Sequence, residues 1–149
     1  MTHEEYMARA LLLAEEAEKI DEVPVGALIV HKGEIIAEAY NTRETSKCAT
    51  HHAEILAIER ACGKLGGWRL PECTLYVTLE PCPMCAGAIL NARIDRVVFG
   101  AYDRRAGAFG TLFDLNSYPL NHKTEIIGGV MEKECSSALS AYFKKKREK

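Results

Sequence analysis

The sequence predicts a single α/β domain: an antiparallel hairpin near the amino terminus, then a mostly parallel sheet covered by helices on both faces. Three observations predict it. Strand-like and helix-like segments alternate after the hairpin, and that alternation builds parallel strands joined by right-handed crossovers. The apolar segments are short and are punctuated by glycine, proline or polar turns, so each reads as one element. Over 149 residues the chain is 48% hydrophobic and 27% charged, ordinary globular proportions that exclude a fibrous repeat or a disordered tail. No linker, internal repeat or low-complexity stretch interrupts residues 1–149, so one domain accounts for the whole chain.

The elements follow in order. Thr2 and Glu5 fit a capping box, and Met7, Ala10, Leu11, Ala14 and Ala17 then mark one face of a helix. Pro24 ends that pattern. Val25 to Val30 reads as a strand, Lys32-Gly33 as a turn and Glu34 to Ala39 as the returning strand. Asn41 to Ala49 is polar and irregular, a loop. His52 to Ala61 has helical periodicity and is closed by Gly63, Gly66 and Gly67. Thr74 to Leu79 is a buried strand, Cys82 to Ala92 a helix of small residues, and Arg96 to Ala101 the next strand. Tyr102 to Leu120 has no clear period. Glu125-Ile126-Ile127 is a short strand, and Glu132 to Arg147 a final helix with Cys135, Leu139, Tyr142 and Phe143 on its apolar face.

The net charge of −2 gives no support to nucleic-acid binding by itself. The run Lys144-Lys145-Lys146-Arg147-Glu148-Lys149, directly after Tyr142-Phe143, supports two readings. It suits a solvated helix end facing the helix dipole, and it suits contact with phosphates. No apolar run is long enough to cross a bilayer, and the acidic start Met1-Thr2-His3-Glu4-Glu5 does not read as a leader. A cytoplasmic location is expected. In that setting six cysteines do not imply disulfides. Cys62, Cys73 and Cys135 read as small buried apolar residues, and only Cys82 and Cys85 form a close pair.

Cys82-Pro83-Met84-Cys85 follows a strand and opens a helix, so both sulfurs can face one point. The amides of a helix start favour their thiolates. A redox dithiol has the same local geometry, whereas a structural zinc site would want a second Cys pair that is missing. The deciding feature lies 30 residues upstream, in His52-Ala53-Glu54. An imidazole at the start of a neighbouring helix can be the third ligand and leave a fourth position for water. Glu54, offset around the helix from His52, can then accept and pass on a proton without ligating anything. His51 is a rival ligand by adjacency, but His52 is the one that stands two residues before a glutamate.

H-x-E with P-C-x-x-C is the signature of zinc nucleobase deaminases. The sequence resembles the cytidine/deoxycytidylate deaminase superfamily and, within it, the bacterial tRNA-specific adenosine deaminases. The resemblance runs nearly end to end. It takes in Glu22-Val23-Pro24-Val25-Gly26-Ala27, Asn41, His52-Ala53-Glu54, Leu75 through Cys82, Cys85-Ala86-Gly87-Ala88, Arg96 through Ala101, Asp103 and Asn121-His122. It implies a three-layer α/β/α domain on a mixed five-stranded sheet. It also implies one zinc ion per subunit on His52, Cys82 and Cys85, and Glu54 as the proton carrier.

Asn41 and the backbone N–H of Ala53 would hold the flipped base, and Asp103, Asn121 and Phe143 would lie along an RNA-contacting rim. The implied reaction converts adenosine to inosine at the wobble position of a tRNA anticodon stem-loop, in a cytoplasmic homodimer. The zinc core alone also fits a deaminase of free guanine, cytosine or a nucleoside. Cys48-Ala49-Thr50-His51 departs from the family's pattern, which has an Asp-Pro pair ahead of Thr-Ala-His. Cys48 offers a third thiolate, but its place in a loop counts against that reading, and His51 is expected to point into solvent rather than donate a hydrogen bond to substrate.

Overall fold

The computed structural model describes residues 1–148; Lys149, the last residue of the basic run, lies outside the described residues. Helix α1, His3–Lys19, starts with the expected capping box: the Glu5 N–H donates to Thr2 Oγ1 and the Thr2 N–H to Glu5 Oε1, both at 3.1 Å. Its buried face carries Tyr6, Met7, Ala10, Leu13, Ala14 and Ala17. Leu13 takes the inner position that the spacing assigned to Leu11, which packs at the edge.

Strands β1, Gly26–His31, and β2, Glu34–Tyr40, form the hairpin. Lys32 and Gly33 both have positive φ, 51° and 81°, which matches the right-handed twist that a two-residue hairpin turn requires. Strand β3, Cys73–Leu79, pairs antiparallel with β1, while β4, Arg96–Ala101, and β5, Glu125–Ile127, add parallel to it and to each other. The order is β2-β1-β3-β4-β5. The sheet is therefore mixed, antiparallel on the hairpin side and parallel on the other, as the family resemblance implied.

Both faces are covered. Alternate residues of β1 and β3 show it: Ala27, Ile29, Leu75 and Val77 join a core shared with helices α3, Ala53–Leu65, and α4, Pro83–Asn91. Leu28, Val30 and Tyr76 join a second core under α1 and the last helix, α5, Glu132–Arg147. Burial on both faces explains why these strands read as continuous apolar runs rather than as alternating ones. Helix α1 lies on the backbone of β1, because a Cβ on Gly26 would overlap the Ala10 carbonyl oxygen and the Ala14 amide.

The segment read as a loop before α3 contains one helical turn, α2, Arg43–Ser46. Residues 102–120 hold a bridge between Phe109 and Asp114 and a 3₁₀ turn, Leu115–Ser117. Helix α4 leaves β3 directly, and Asp103 follows β4, so the chain gathers its loops beyond the carboxyl ends of these strands. That crevice is where open α/β sheets bind ligands.

Candidate active site

His52 and Cys82 occupy equivalent positions on two helices. Each is the N-cap residue, with extended backbone (φ −73°, ψ 155° for His52; φ −74°, ψ 173° for Cys82), and neither side chain caps its own helix. Pro83 at the first turn of α4 fixes the start, since its missing N–H would be unpaired there anyway. Both side chains are thereby free to turn toward each other. His52 Nδ1 lies 3.6 Å from Cys82 Sγ and 3.6 Å from Cys85 Sγ. Among the described residues these three form the one group of histidine, cysteine or carboxylate side chains close enough to share a metal ion.

The spacing tests which ion fits. A tetrahedral zinc with bonds of about 2.3 Å to sulfur and about 2.0–2.1 Å to nitrogen has N···S edges of about 3.6 Å. The three side chains already stand at those edges, and the soft donor set suits the same metal. The two sulfurs ionise unequally in this arrangement. The Cys85 thiol and then His52 hydrogen-bond to Cys82 and hold its thiolate at about 4, while the bond to Cys82 and deep burial keep Cys85 protonated. The same contact with Cys82 raises His52. A dication held by both sulfurs would displace the Cys85 proton, so metal uptake here is coupled to proton release.

Glu54 sits in the first turn of α3 and is only 4% exposed. Burial pushes its carboxyl from 4.5 up to about 7, where it can both take and return a proton near neutral pH. His52, Ala53, Glu54, Cys82 and Asn41 all line one cavity of about 850 Å³, whose lining also includes Asp103 and Phe143. Cys85 is fully buried beneath it. Asn41 is held by two bonds, its Nδ2 donating to the Val23 carbonyl (3.2 Å) and its Oδ1 accepting from the Arg43 N–H (3.1 Å). Each of its polar atoms keeps further capacity for a ligand.

The placements of Asn121, His51 and the basic run add to the sequence reading. Asn121 does not reach the cavity; it is exposed on the loop before β5. His51 does not stand free in solvent. It is half-buried, and its Nδ1 is buried with no hydrogen-bond partner among the described residues. The basic tail is partly committed: Lys146 Nζ pairs with Asp21 at 2.6 Å, Lys145 lies 3.8 Å from Glu18, and the Tyr142 hydroxyl donates to the Asp21 carbonyl at 3.1 Å. Lys144 and Arg147 remain exposed. Cys48 contacts Thr50 Oγ1 at 3.4 Å and stays outside the ligand group.

Two buried carboxylates in the cavity wall had no role in the sequence reading. Glu22, 1% exposed, accepts from the Glu44 and Thr45 amides at 3.1 and 2.5 Å and so pins α2 over the opening. Glu80, 2% exposed, holds the facing loop. The available signal was a glutamate placed beside apolar residues at a strand's margin, in Glu22-Val23-Pro24 and Leu79-Glu80-Pro81.

A five-stranded mixed sheet whose adjoining helix starts present a histidine and a Cys-x-x-Cys pair beside a buried glutamate defines a deaminase of the cytidine-deaminase-like fold. Comparisons with known proteins narrow this. Residues 1–135 match the model of the MafB19-like deaminase family. The tRNA-specific adenosine deaminase of Bacillus subtilis (strain 168) is 52% identical across 100% of this chain and 94% of its own. A structure from a study of A-to-I editing by tRNA:A34 deaminases at the wobble position of transfer RNA superposes with TM-score 0.86 at 42% identity, covering 91% and 99% of the two chains. Guanine deaminase from Bacillus subtilis superposes at TM-score 0.67 with 38% identity, over 97% and 95%. The chain belongs to the family of tRNA-specific adenosine deaminases.

Proposed function

We propose that the protein hydrolyses the exocyclic amine of adenosine at the wobble position of a tRNA anticodon, leaving inosine and ammonia. The chemistry rests on the meeting of His52, Cys82 and Cys85 at zinc-ligand spacing beside the buried Glu54, and the tRNA substrate is supported by the likeness to tRNA-specific adenosine deaminases over the whole chain. His52, Cys82 and Cys85 would hold one zinc ion per subunit; when bound, such an ion makes water nucleophilic near neutral pH and polarises the reacting carbon's substituents. The Glu54 carboxylate takes a proton from the attacking water and passes it to the ring nitrogen beside the attacked carbon, then carries the second water proton to the departing amine, a task suited to a carboxyl held at about 7. The Asn41 amide and the Ala53 N–H, at the uncapped start of α3, orient the base edge.

The cavity offers more room than a single purine needs, which fits a flipped loop nucleotide with its neighbours. Asp103 and Phe143 line its outer part and would meet those neighbours; Asn121 would meet RNA only as part of the surrounding surface. Unpaired anticodon nucleotides cost little to unstack and expose their edges. The protein would act as a cytoplasmic homodimer, and the exposed Leu112, Tyr118 and Leu120 on the loop after β4 supply apolar surface for a second copy. Among the described residues no helix is long and apolar enough to cross a membrane.

The test is turnover of an anticodon stem-loop RNA beside free guanine, cytosine and adenosine. Inosine formed in the stem-loop is expected, with binding that weakens steeply as salt rises. Product from free bases alone rejects the proposal in favour of a base deaminase.

A further inference from the structure

We infer that Glu80 is a positioning residue for the RNA substrate: its buried carboxylate is the post around which the cavity lip carrying Asp103 is wound. The inference rests on the RNA reading above and concerns the part of the cavity lining that Glu80, Asp103 and Ala106 supply. Glu80 Oε1 accepts from the Asp103 N–H at 3.1 Å and from Thr111 Oγ1 at 2.5 Å. Oε2 accepts from the Phe109 and Thr111 amides at 3.1 and 3.2 Å. Glu80 itself is fixed to the sheet, its N–H donating to the Ala101 carbonyl at 2.9 Å. Asp103 Oδ1 then caps its own turn through the Arg105 and Ala106 amides. Together with the Ala108 N–H, which donates to the Pro81 carbonyl at 2.9 Å, this side chain holds the loop from 103 to 111.

No lysine, arginine or histidine pairs with Glu80 among the described residues. A carboxylate buried without a cation is tolerable only when its lone pairs are met by donors, and here four donors meet two oxygens. Losing any one of them leaves the others in a costlier setting, so the lip is held in one position rather than in several. Close packing adds to this. A Cβ on Gly107 would run into the Asp103 carbonyl oxygen and the Glu80 carboxylate together, so only glycine lets the loop close on its post. Glu80, Asp103 and Ala106 all face the cavity, whereas the Asn41, Ala53 and Glu54 set that would hold the base lies on other elements. Loosening the lip should weaken the grip on RNA flanking the target and leave the chemical step in place.

The chemistry of the amide predicts how Glu80→Gln fails. An NH₂ in place of Oε2 would face two backbone donors. In place of Oε1 it faces one backbone donor and a hydroxyl, and the hydroxyl can rotate to accept. The glutamine therefore takes the second orientation, keeps Phe109 and Thr111, and releases the Asp103 N–H alone. Gly107→Ala disturbs the same contact from the loop side, by pressing on the Asp103 carbonyl and the Glu80 carboxylate.

The test measures amide exchange by NMR and steady-state kinetics on the zinc-loaded protein. For Glu80→Gln the expected results are faster exchange at Asp103 with Phe109 unchanged, KM for an anticodon stem-loop raised roughly tenfold, and kcat and zinc content retained. Gly107→Ala should raise KM likewise, and it decides the matter if Glu80→Gln does not fold. Unchanged Asp103 exchange with unchanged KM overturns the inference, as does a fall in kcat with KM unchanged. If the wild type does not turn over RNA, the proposed function fails, while the exchange result still decides whether Glu80 holds the lip.

Discussion

Replacing Glu54 by glutamine should stabilise the metal-free protein, and by an amount that depends on pH. Glu54 is 4% exposed, and burial raises its carboxyl from 4.5 to about 7. Between those two values the unfolded chain ionises while the folded chain keeps its proton. The folded state then binds more protons, and stability falls as pH rises, by about 1.4 kcal/mol for each pH unit. Below about 4.5 both states are protonated and the group costs nothing. Above about 7 both are ionised, and the full cost stands at roughly 3 kcal/mol. Glutamine has nearly the same shape and no charge to bury, so the cost disappears. Urea unfolding of chelated, reduced protein at intervals from pH 4.5 to 8.5 measures it. The wild type should match Glu54→Gln at the acid end and fall behind it by roughly 3 kcal/mol near pH 8. A difference that stays flat across this range refutes the claim that Glu54 is held in reserve by burial. Chelation is needed because a nearby dication would draw the carboxyl back down.

Gly26→Ala should destabilise the fold by about 3 kcal/mol or more, read by denaturant titration, because its Cβ overlaps backbone atoms of α1 that cannot give way. Tyr142→Phe should cost about 1 kcal/mol in the same titration by removing the hydroxyl that ties α5 to the Asp21 carbonyl. Glu22→Gln should speed limited proteolysis between residues 42 and 48. Burial alone would raise Glu22, but the Thr45 and Glu44 hydrogen bonds outweigh it and hold the carboxyl below its ordinary value. Its contribution is therefore present above 4.5 and is lost as pH falls through the lowered value, so acid should loosen this segment in the wild type and change Glu22→Gln less.

The elements that were legible in the sequence are those whose signals are local. The Thr2–Glu5 capping box, the Lys32-Gly33 turn and the helix starts at His52 and Cys82 each declare themselves within a few residues. The His52, Cys82 and Cys85 cluster was legible because both motifs sit at helix N-caps, where side-chain direction is constrained. What escaped depends on partners distant in the chain. Turn α2 looked like loop because its amides are met by Glu22, more than 20 residues upstream. The stretch after Tyr102 showed no period because Glu80 and Gly107, not an alternating face, organise it. Asn121 carried a family role by position, and its exposed place on the loop before β5, outside the cavity lining, had no local signal. The antiparallel pairing of β1 with β3 was equally hidden, since buried strands give the same apolar run in either direction.

The central claim is that His52, Cys82 and Cys85 gather one metal ion on which deamination depends. Adding zinc stepwise to chelated protein while following inosine formation in an anticodon stem-loop tests it most directly. Activity should start at zero, climb in proportion to added zinc and stop rising at one ion per chain. Full turnover by the chelated protein, or a plateau with no dependence on zinc, would contradict it.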